Sequence, residues 1–296
     1  MFRIVGIGEL LWDLLPSGAQ IGGAPANFSY HAGALGAETR TISRVGDDAL
    51  GHELLAQLKA LGVSTECVQV DRSLPTGTVA VEIDADGQPC FDIRSNVAWD
   101  HLQVDAVATN AAMAADALCF GTLAQRDPVS RSAIRALVAA SPSSTLRVLD
   151  VNLRQQYYSR ALIEESLALA TVLKVNDLEL PRLVSLFSLE GDLRSQLEQL
   201  AFRWQLNAIA LTRGDRGSIL LTTHEYSEHP GVAVAVRDTI GAGDAFTAAM
   251  TIGLLSGWAL DDVNAHANEV ASFVASCSGG TPPLPATIRD AFVQRA

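Results

Sequence analysis

Short apolar runs alternate with amphipathic stretches along most of the chain. The first run, Phe2–Gly8, is rich in β-branched residues and ends in glycine, which predicts a buried strand. Pro25–Leu35 and Asp48–Leu61 have helical patterns that each end at a glycine, and Thr39–Val45 between them predicts a second strand. The order β, α, β, α is typical of parallel strands joined by helical crossovers.

The stretch between residues 63 and 99 has a different pattern. Thr76–Asp84 alternates polar and apolar residues, Asp86-Gly87 is a turn signal, and Gln88–Arg94 returns as a second strand. A hairpin-rich insert in an alternating chain predicts a small sheet that stands off the main body. Leu11–Leu15 is expected to add a strand to that sheet.

After residue 105 the alternation of strands and helices resumes. Strands are predicted at Ala117–Gly121, Arg147–Asn152, Thr171–Val175 and Ala208–Thr212. Helices are predicted at Pro128–Ala140, Arg160–Ala170, Leu193–Trp204, Ala242–Ser256 and Val263–Ser276. Gly217–Thr222 and Val232–Val236 have no helix between them and predict an antiparallel edge. The chain is therefore predicted to be an α/β protein with a mainly parallel sheet, in which ligands bind beyond the carboxyl ends of the strands.

Composition narrows the classes of function. The chain has 296 residues, of which 48% are hydrophobic, and a formal net charge of −12. This acidic excess argues against binding of nucleic acid or of an anionic membrane, because both would be repelled. No apolar run approaches the roughly 18 residues that a membrane span requires. The four cysteines lie far apart, which fits reduced thiols in a cytoplasmic protein: Cys67, Cys90, Cys119 and Cys277.

Several familiar motifs are missing from the sequence. Neither lysine follows a glycine, so there is no Walker-type phosphate loop. Gly6-x-Gly8 resembles the start of a dinucleotide fingerprint, but Leu11 stands at the third glycine position, and a strand end explains the two glycines better. There is no H-E-x-x-H or G-x-S-x-G. His224 and His229 lie five residues apart in a polar loop, where solvated side chains are expected rather than a metal pair.

The strongest chemical signal is DTIGAGDAFT at residues 238–247, which leads into an apolar helix. Gly241, Ala242 and Gly243 carry no bulky side chain, so backbone N–H groups at the helix start can point at an approaching anion, which the helix dipole favours. Asp244 in the first turn can stay ionised and accept a proton. The alternative is an ordinary N-cap aspartate, but a cap does not require Gly-x-Gly, whereas close approach of a phosphate does.

A second helix start led by glycines lies at residues 22–27, GGAPAN. Asn27 falls in the first turn and presents an amide that can both donate to and accept from a hydroxyl. A turn followed by a Pro-initiated helix explains the glycines equally well. It does not explain a polar amide on a helix whose flank is otherwise Ala, Phe, Tyr and Leu.

These two segments, in this order, resemble the two signatures of the ribokinase-like (PfkB) sugar kinases. The first signature continues through Gly36 and the segment RVGDDALG at residues 44–51. The resemblance extends over essentially the whole chain. It implies a single domain over residues 1–296 with a three-layer α/β/α fold and a mainly parallel central sheet. It also implies a β-sheet lid that closes over the sugar, formed by about residues 11–22 and 66–99.

The resemblance implies roles for both signatures. Asp244 matches the catalytic base that takes the proton from the sugar hydroxyl attacking the γ-phosphate of ATP. Gly241, Ala242 and Gly243 match the anion hole that holds the transferring phosphoryl group. The matches to sugar-binding positions are Asp13, Gly23 and Asn27.

Further matches concern the nucleotide and metal ions. Lys174-Val-Asn176-Asp-x-Glu179 resembles the N-x-x-E element, which organises magnesium and phosphate through water. The positions that match the nucleotide site are Lys174, Asn176, Thr212, Gly214, Gly217 and Asn268. Carbonyls near Asp238 and Ile240 match part of a potassium site. The loop that completes this site in relatives reads SCSGG at residues 276–280 and departs from the family pattern of a basic residue followed by Gly-Ala.

Residues 150–154, DVNLR, resemble the D-x-N-x-R element of the fructokinase branch, and implicate Asp150, Asn152 and Arg154 in binding the substrate. Arg94 resembles the lid arginine of that branch. The expected reaction is therefore transfer from ATP with Mg²⁺ to D-fructose, at the 6-hydroxyl.

Three rivals remain open on the sequence. One is a kinase of ribose or a nucleoside. Another is a kinase of 2-keto-3-deoxygluconate, whose carboxylate would suit Arg94. The third is a silent sugar or nucleotide sensor, against which Asp244 argues because a sensor needs no base. The partners implied are a small sugar and ATP, with no nucleic acid and no membrane. The open edge of the lid sheet favours a homodimer.

Overall fold

The structure is a computed structural model that describes residues 1–15, 18–83 and 89–293. The predicted turn at Asp86-Gly87 lies outside the described residues. The strands are β1 (Arg3–Ile7), β2 (Leu11–Leu15), β3 (Gly18–Gly22), β4 (Glu38–Gly46), β5 (Val68–Asp71), β6 (Gly77–Ile83), β7 (Pro89–Ile93), β8 (Ala117–Phe120), β9 (Leu146–Asp150), β10 (Val172–Asn176), β11 (Ala208–Thr212), β12 (Ser218–Thr222) and β13 (Tyr226–His229).

The helices alternate with these strands. They are α1 (Ala24–Ala34), α2 (Ala49–Ala60), α3 (Ala106–Met113), α4 (Pro128–Ala140), α5 (Arg160–Leu169), α6 (Leu180–Phe187), α7 (Leu193–Trp204), α8 (Ala242–Leu255), α9 (Leu260–Ala275) and α10 (Ala286–Val293). Within the described part of the chain, no helix is long and apolar enough to cross a membrane.

A large sheet forms the middle layer of the molecule. Its strand order in the described chain is β13-β12-β11-β10-β9-β8-β1-β4-β5, and all pairs from β11 to β5 are parallel. One buried cluster joins one face of the sheet to α3–α7, and a second joins the other face to α1, α8, α9 and α10. The predicted three-layer α/β/α arrangement is therefore confirmed.

The antiparallel edge of this sheet differs from the prediction. Gly217–Thr222 does contain a strand, β12, but its partner is Tyr226–His229 and not Val232–Val236. The alternating valines of residues 232–236 are exposed, so their alternation does not come from a strand with one buried face. The backbones approach closely at the end of this pair, where a Cβ atom on Gly217 would lie 2.1 Å from the His229 carbonyl oxygen.

A four-stranded sheet in the order β3-β2-β6-β7 forms the predicted lid. The predicted lower boundary at residue 66 is wrong, because Val68–Asp71 pairs in parallel with β4 of the large sheet. This strand is held there by the buried carboxylate of Asp71, which lies 2.8 Å from a guanidinium nitrogen of Arg44. β3, which the sequence pattern does not reveal, completes the edge of the lid beside β2.

The large sheet changes direction between β1 and β8. From β1 the chain continues to β4 and β5 on one side, whereas β8 begins the run towards β13 on the other. A crevice beyond the carboxyl ends of the strands is expected at such a switch point. Two helix starts approach it, because α1 and α8 pack together through Phe28, Ala32 and Ala249.

Candidate active site

A cavity lies at this switch point. It is bounded by the chain that follows β1, β8 and β9 and by the first turns of α1 and α8. The polar and small residues that line it are Glu9, Ala24, Cys119, Gly121, Thr122, Asp150, Asn152, Asp244 and Thr247. Because the two glycine-led signatures meet here, the structure brings together the groups that the sequence singles out at opposite ends of the chain.

The first turn of α8 leaves two backbone donors available. Gly241 precedes the helix with a φ of 75°, and a Cβ atom there would lie 2.3 Å from the Gly280 carbonyl oxygen, so only glycine fits. The N–H groups of Gly243 and Asp244 have no hydrogen-bond acceptor in the described part of the chain. First-turn donors of this kind form an anion site when they face a ligand.

Asp244 lines the cavity next to these donors. Its Oδ2 accepts a hydrogen bond of 2.9 Å from Nδ2 of Asn27, which fixes the orientation of the carboxylate. Burial, together with the charge of Asp150, raises the pKa of Asp244 to about 6, although the bond from Asn27 opposes the shift. A carboxyl group with this pKa is mostly ionised at neutral pH and is a better proton acceptor than an ordinary aspartate.

A buried ion pair supports the start of α8 from below. The Lys174 ammonium lies 3.1 Å from Oδ1 and Oδ2 of Asp150, and Thr247 donates to Oδ2 of the same carboxylate. Burial disfavours the charge on Lys174, but the charges of Asp150 and Glu179 outweigh this and raise the pKa of Lys174. The ammonium also lies 3.2 Å from the position of a Cβ atom on Gly243. Positive charge therefore stands directly behind the predicted anion hole.

The start of α1 has the opposite polarity. Gly23 precedes the helix with a φ of 112°, and a Cβ atom there would lie 2.4 Å from the Glu9 carbonyl oxygen. Because glycine offers no capping side chain, the Glu9 carboxylate takes that place, and Ala24 N donates to its Oε1 at 3.3 Å. Asn27, in the same turn, keeps a buried Oδ1 with no hydrogen-bond partner among the described residues.

The lid contributes a carboxylate from β2. Burial raises the pKa of Asp13 to about 6, and the nearby charge of Arg154 opposes the shift. The carboxylate packs closely against Gly22, where a Cβ atom would lie 2.3 Å from Asp13 Oδ2. Arg154 is exposed and also lowers the pKa of Glu9 and Asp244. It is therefore a cation shared by the carboxylates of the site.

The other predicted substrate residues occupy two different settings. Asn152 lines the cavity with a φ of 40°, a left-handed backbone that is uncommon outside glycine and occurs often at functional sites. Arg94 has an exposed side chain at the end of β7. Its backbone is tied down, because the Arg94 carbonyl accepts a hydrogen bond from Arg126, which is paired with Asp100.

The N-x-x-E element links two strand ends. Glu179 is buried, and its two oxygens accept hydrogen bonds from the backbone nitrogens of Leu153 and Asn176, at 2.8 and 2.9 Å. Asn176 Oδ1 accepts bonds from the backbone nitrogens of residues 178 and 179. No group of three metal-ligating side chains exists among the described residues. The second lone pair of each of these oxygens can accept a hydrogen bond from a water molecule of a hydrated metal ion.

The predicted nucleotide residues lie around the end of β11. Thr212 ends this strand and Gly214 opens the turn that follows, where a Cβ atom would have no neighbour within 4 Å. Asn268 of α9 is buried, and its amide nitrogen donates to Ser218 and Asn264. Its amide nitrogen is thus engaged within the protein, and its role as an adenine contact stays a prediction.

The loop at residues 276–280 packs against the start of the α8 signature. Asp238 accepts hydrogen bonds of 3.0 Å from the backbone nitrogens of Ile240 and Gly279. The neighbouring Gly280 carbonyl lies 2.8 Å from Nε2 of the buried His31. The two segments that the family uses for potassium are therefore adjacent here, and binding of potassium stays a prediction.

The sequence reasoning missed Glu9, Thr247 and His31. Glu9 is a charged residue directly after an apolar strand, which is a signal that was available. Thr247 and His31 lie inside apolar helices, and only the fold reveals that they contact Asp150 at the end of β9 and the Gly280 carbonyl after α9.

Comparisons with known proteins show what this chain is similar to. The sequence profile of the family described as pfkB family carbohydrate kinase matches residues 18–287. A fructokinase of Solanum tuberosum is 28% identical over 95% of this chain and 92% of its own length.

Two solved structures are similar along almost the whole chain. An uncharacterized sugar kinase from Pyrococcus horikoshii in complex with ATP is 28% identical, with a TM-score of 0.82 over 94% of both chains. A fructokinase from Vibrio cholerae O395 with fructose, ADP and calcium bound has a TM-score of 0.82 over 99% of both chains. At 23% identity the second similarity concerns the fold alone.

Proposed function

We propose that this chain, which belongs to the pfkB family of carbohydrate kinases and is an ATP-dependent sugar kinase, phosphorylates D-fructose. The proposed site of phosphorylation is the 6-hydroxyl. One observation carries the chemical part of this proposal. Asp244 accepts a hydrogen bond from the amide of Asn27, and its own N–H group and that of Gly243 have no acceptor among the described residues.

The proposed reaction follows from this arrangement. A sugar hydroxyl next to Asp244 attacks the γ-phosphate of ATP, and the Asp244 carboxylate accepts the hydroxyl proton as the new O–P bond forms. The bond between the γ-phosphorus and the β,γ-bridging oxygen breaks at the same time, and ADP leaves. The N–H groups of Gly243 and Asp244 stabilise the transferring phosphoryl group, and the Lys174 ammonium behind them adds positive potential. Phosphoryl transfer depends on alignment and charge neutralisation more than on covalent help, which suits these groups.

Magnesium would bind with the nucleotide. Asn176 and Glu179 would hold the hydrated ion through water, because their oxygens already accept backbone N–H groups. Magnesium would neutralise phosphate charge, while the protein orients the two substrates.

Support for fructose comes from several directions. The D-x-N-x-R element places Asn152 on the cavity wall and Arg154 within electrostatic reach of Asp13 and Asp244. The named relatives include fructokinases that match more than nine tenths of this chain. The acceptor wall is rich in carboxyl groups, which favours a neutral polyhydroxy sugar over a sugar acid.

A coupled assay of ATP consumption with ketoses, aldoses, sugar acids and nucleosides tests the acceptor. Fructose should give the highest kcat/KM, and the product should be identified by NMR as the 6-phosphate. A higher kcat/KM for 2-keto-3-deoxygluconate, ribose or a nucleoside would refute the fructose proposal and leave the kinase family in place.

A further inference from the structure

Glu9 is a buried carboxyl group that the proposed reaction does not use. Its side chain is 5% exposed and lies on the wall of the cavity that contains Asp244. Oε1 is engaged by Ala24 N, whereas Oε2 is buried with no hydrogen-bond partner among the described residues. A buried polar atom without a partner is costly, so native proteins satisfy such atoms with a ligand or an ordered water.

The other acidic and hydroxyl groups on the cavity wall have partners within the protein. Asp150 is paired with Lys174 and Thr247, and Thr122 donates to the Val151 carbonyl oxygen. Of the carboxyl and hydroxyl oxygens that line the described cavity wall, Glu9 Oε2, beside Asp244, is the one that is buried without a hydrogen-bond partner.

The position of Glu9 in the fold also indicates a ligand. Glu9 follows β1 and faces Gly121 and Thr122 after β8, so it stands at the point where the sheet changes direction. This is where α/β sheets bind small molecules.

We propose that Glu9 is a specificity-determining residue of the acceptor site, whose Oε2 hydrogen-bonds a second hydroxyl of the sugar while another hydroxyl faces Asp244. This inference rests on the proposed kinase function and extends it. Glu9, Asp150 and Asp244 together make the inner end of the cavity fit neutral hydroxyl groups and repel a carboxylate. A sugar acid would therefore have to turn its carboxylate outwards, towards Arg94 or Arg154.

The state of the Glu9 carboxyl group suits this contact. Burial and the nearby charge of Asp244 raise the pKa of Glu9 to about 7, while hydrogen bonding from the backbone N–H groups of Glu9 itself and of Ala24, together with the charge of Arg154, opposes the shift. At neutral pH the group can therefore accept from a hydroxyl or donate to one. When it is neutral it also avoids repulsion with Asp244.

The alternative is that Glu9 only caps α1. Capping and substrate contact can be separated with fructose analogues that each lack one hydroxyl. We expect the wild-type enzyme to use one such analogue about 10- to 100-fold less efficiently than fructose, which is the cost of one hydrogen bond to a charged group. In Glu9→Met, kcat/KM for fructose should fall by a similar factor. For that analogue kcat/KM should fall no further, and KM for ATP should stay unchanged.

A merely structural role predicts a different result. If Glu9→Met lowers kcat/KM for fructose and for every analogue by the same factor, or changes none of them, the proposal is overturned. Should Glu9→Met fail to fold, Glu9→Gln carries the same comparison, because its amide oxygen can still accept from Ala24 N. In Glu9→Gln, the ratio of kcat/KM for fructose to kcat/KM for the sensitive analogue must fall by at least about threefold, because a hydrogen bond to a charged group is lost. An unchanged ratio overturns the proposal.

The control is Glu53→Gln, which changes an exposed glutamate of α2 and should leave every kcat/KM value as in the wild type. Failure of the fructose proposal can be recognised separately. If another sugar is the preferred acceptor, its own deoxy analogues replace those of fructose, and the contact of Glu9 is tested in the same way.

Discussion

The starts of α1 and α8 share a glycine-led sequence and meet at one cavity, yet they present opposite chemistry. At α1 the first N–H group is taken by Glu9, and Pro25 at the next position has none. At α8 the N–H groups of Gly243 and Asp244 have no acceptor in the described residues, and Lys174 stands behind them. A glycine-led helix start is therefore not a phosphate site by itself. The side chain that the sheet places against it decides whether an anion or a neutral hydroxyl is bound.

Among changes at the two helix starts, replacement of the proposed base should have the largest effect on turnover. Asp244→Asn should lower kcat by about 10² to 10⁴, the usual contribution of general base catalysis, because the amide cannot take the hydroxyl proton. ATP binding, measured by calorimetry, should persist because the backbone donors remain. Asp261→Asn changes an exposed first-turn aspartate of α9 and is the matched control. Full turnover in Asp244→Asn would remove the base from the mechanism.

The geometry of the α8 start can be tested without changing charge. Gly241→Ala must place a Cβ atom against the Gly280 carbonyl, which shifts the donors, and kcat should fall by about 10² to 10³, the cost of losing an oxyanion donor. Gly257→Ala at the other end of α8 is the control. It has a similar φ of 66° but open space around the new atom. It should cost about 1–2 kcal/mol of stability in a thermal unfolding experiment and leave kcat unchanged.

The Lys174 cation behind the start of α8 is the next difference between the two helix starts, and a substitution can remove it. Lys174→Met leaves the Asp150 charge buried and unpaired, so the free energy of unfolding should fall by about 3–5 kcal/mol. Adding Asp150→Asn should restore much of that stability, as measured by urea unfolding. The double variant should still turn over about tenfold more slowly, or worse, because the positive potential is gone. Recovery of both stability and kcat would show that the pair is only structural.

The smallest expected effect concerns stability at the start of α1. Folding raises the pKa of Glu9 from its ordinary value of 4.5 to about 7, so the folded protein binds more protons than the unfolded chain between these values. This contribution to stability is present below about pH 4.5 and is lost as the pH rises through about 7. The wild type should therefore lose stability between pH 5 and pH 8, as measured by urea unfolding. Glu9→Gln should lose less stability over the same change in pH. An equal loss would contradict the shifted pKa.

Local signals carried much of the fold and part of the site. Apolar runs that end in glycine located β1 and β8, and the small residues before α8 predict an anion hole. A period of two failed at residues 232–236, because alternation identifies a strand only when one face is buried, and these valines are exposed.

Other features depend on contacts between distant segments. Glu9 lines the cavity only because β1 and β8 are neighbours, and no pattern near residue 9 states which strand lies beside it. Asn268 matched a nucleotide position, yet its amide nitrogen is engaged by Ser218 and Asn264. The polarity of a residue was visible in the sequence, whereas its partner was not.

A crystal structure with ADP, fructose and aluminium fluoride tests the central claim most directly, because the fluoride complex takes the place of the transferring phosphoryl group. We expect fluorine atoms about 2.7–3.1 Å from the nitrogens of Gly243 and Asp244. We also expect a fructose hydroxyl between the aluminium and the Asp244 carboxylate. A fluoride complex bound elsewhere, or one with Asp244 out of reach of any fructose hydroxyl, would contradict it.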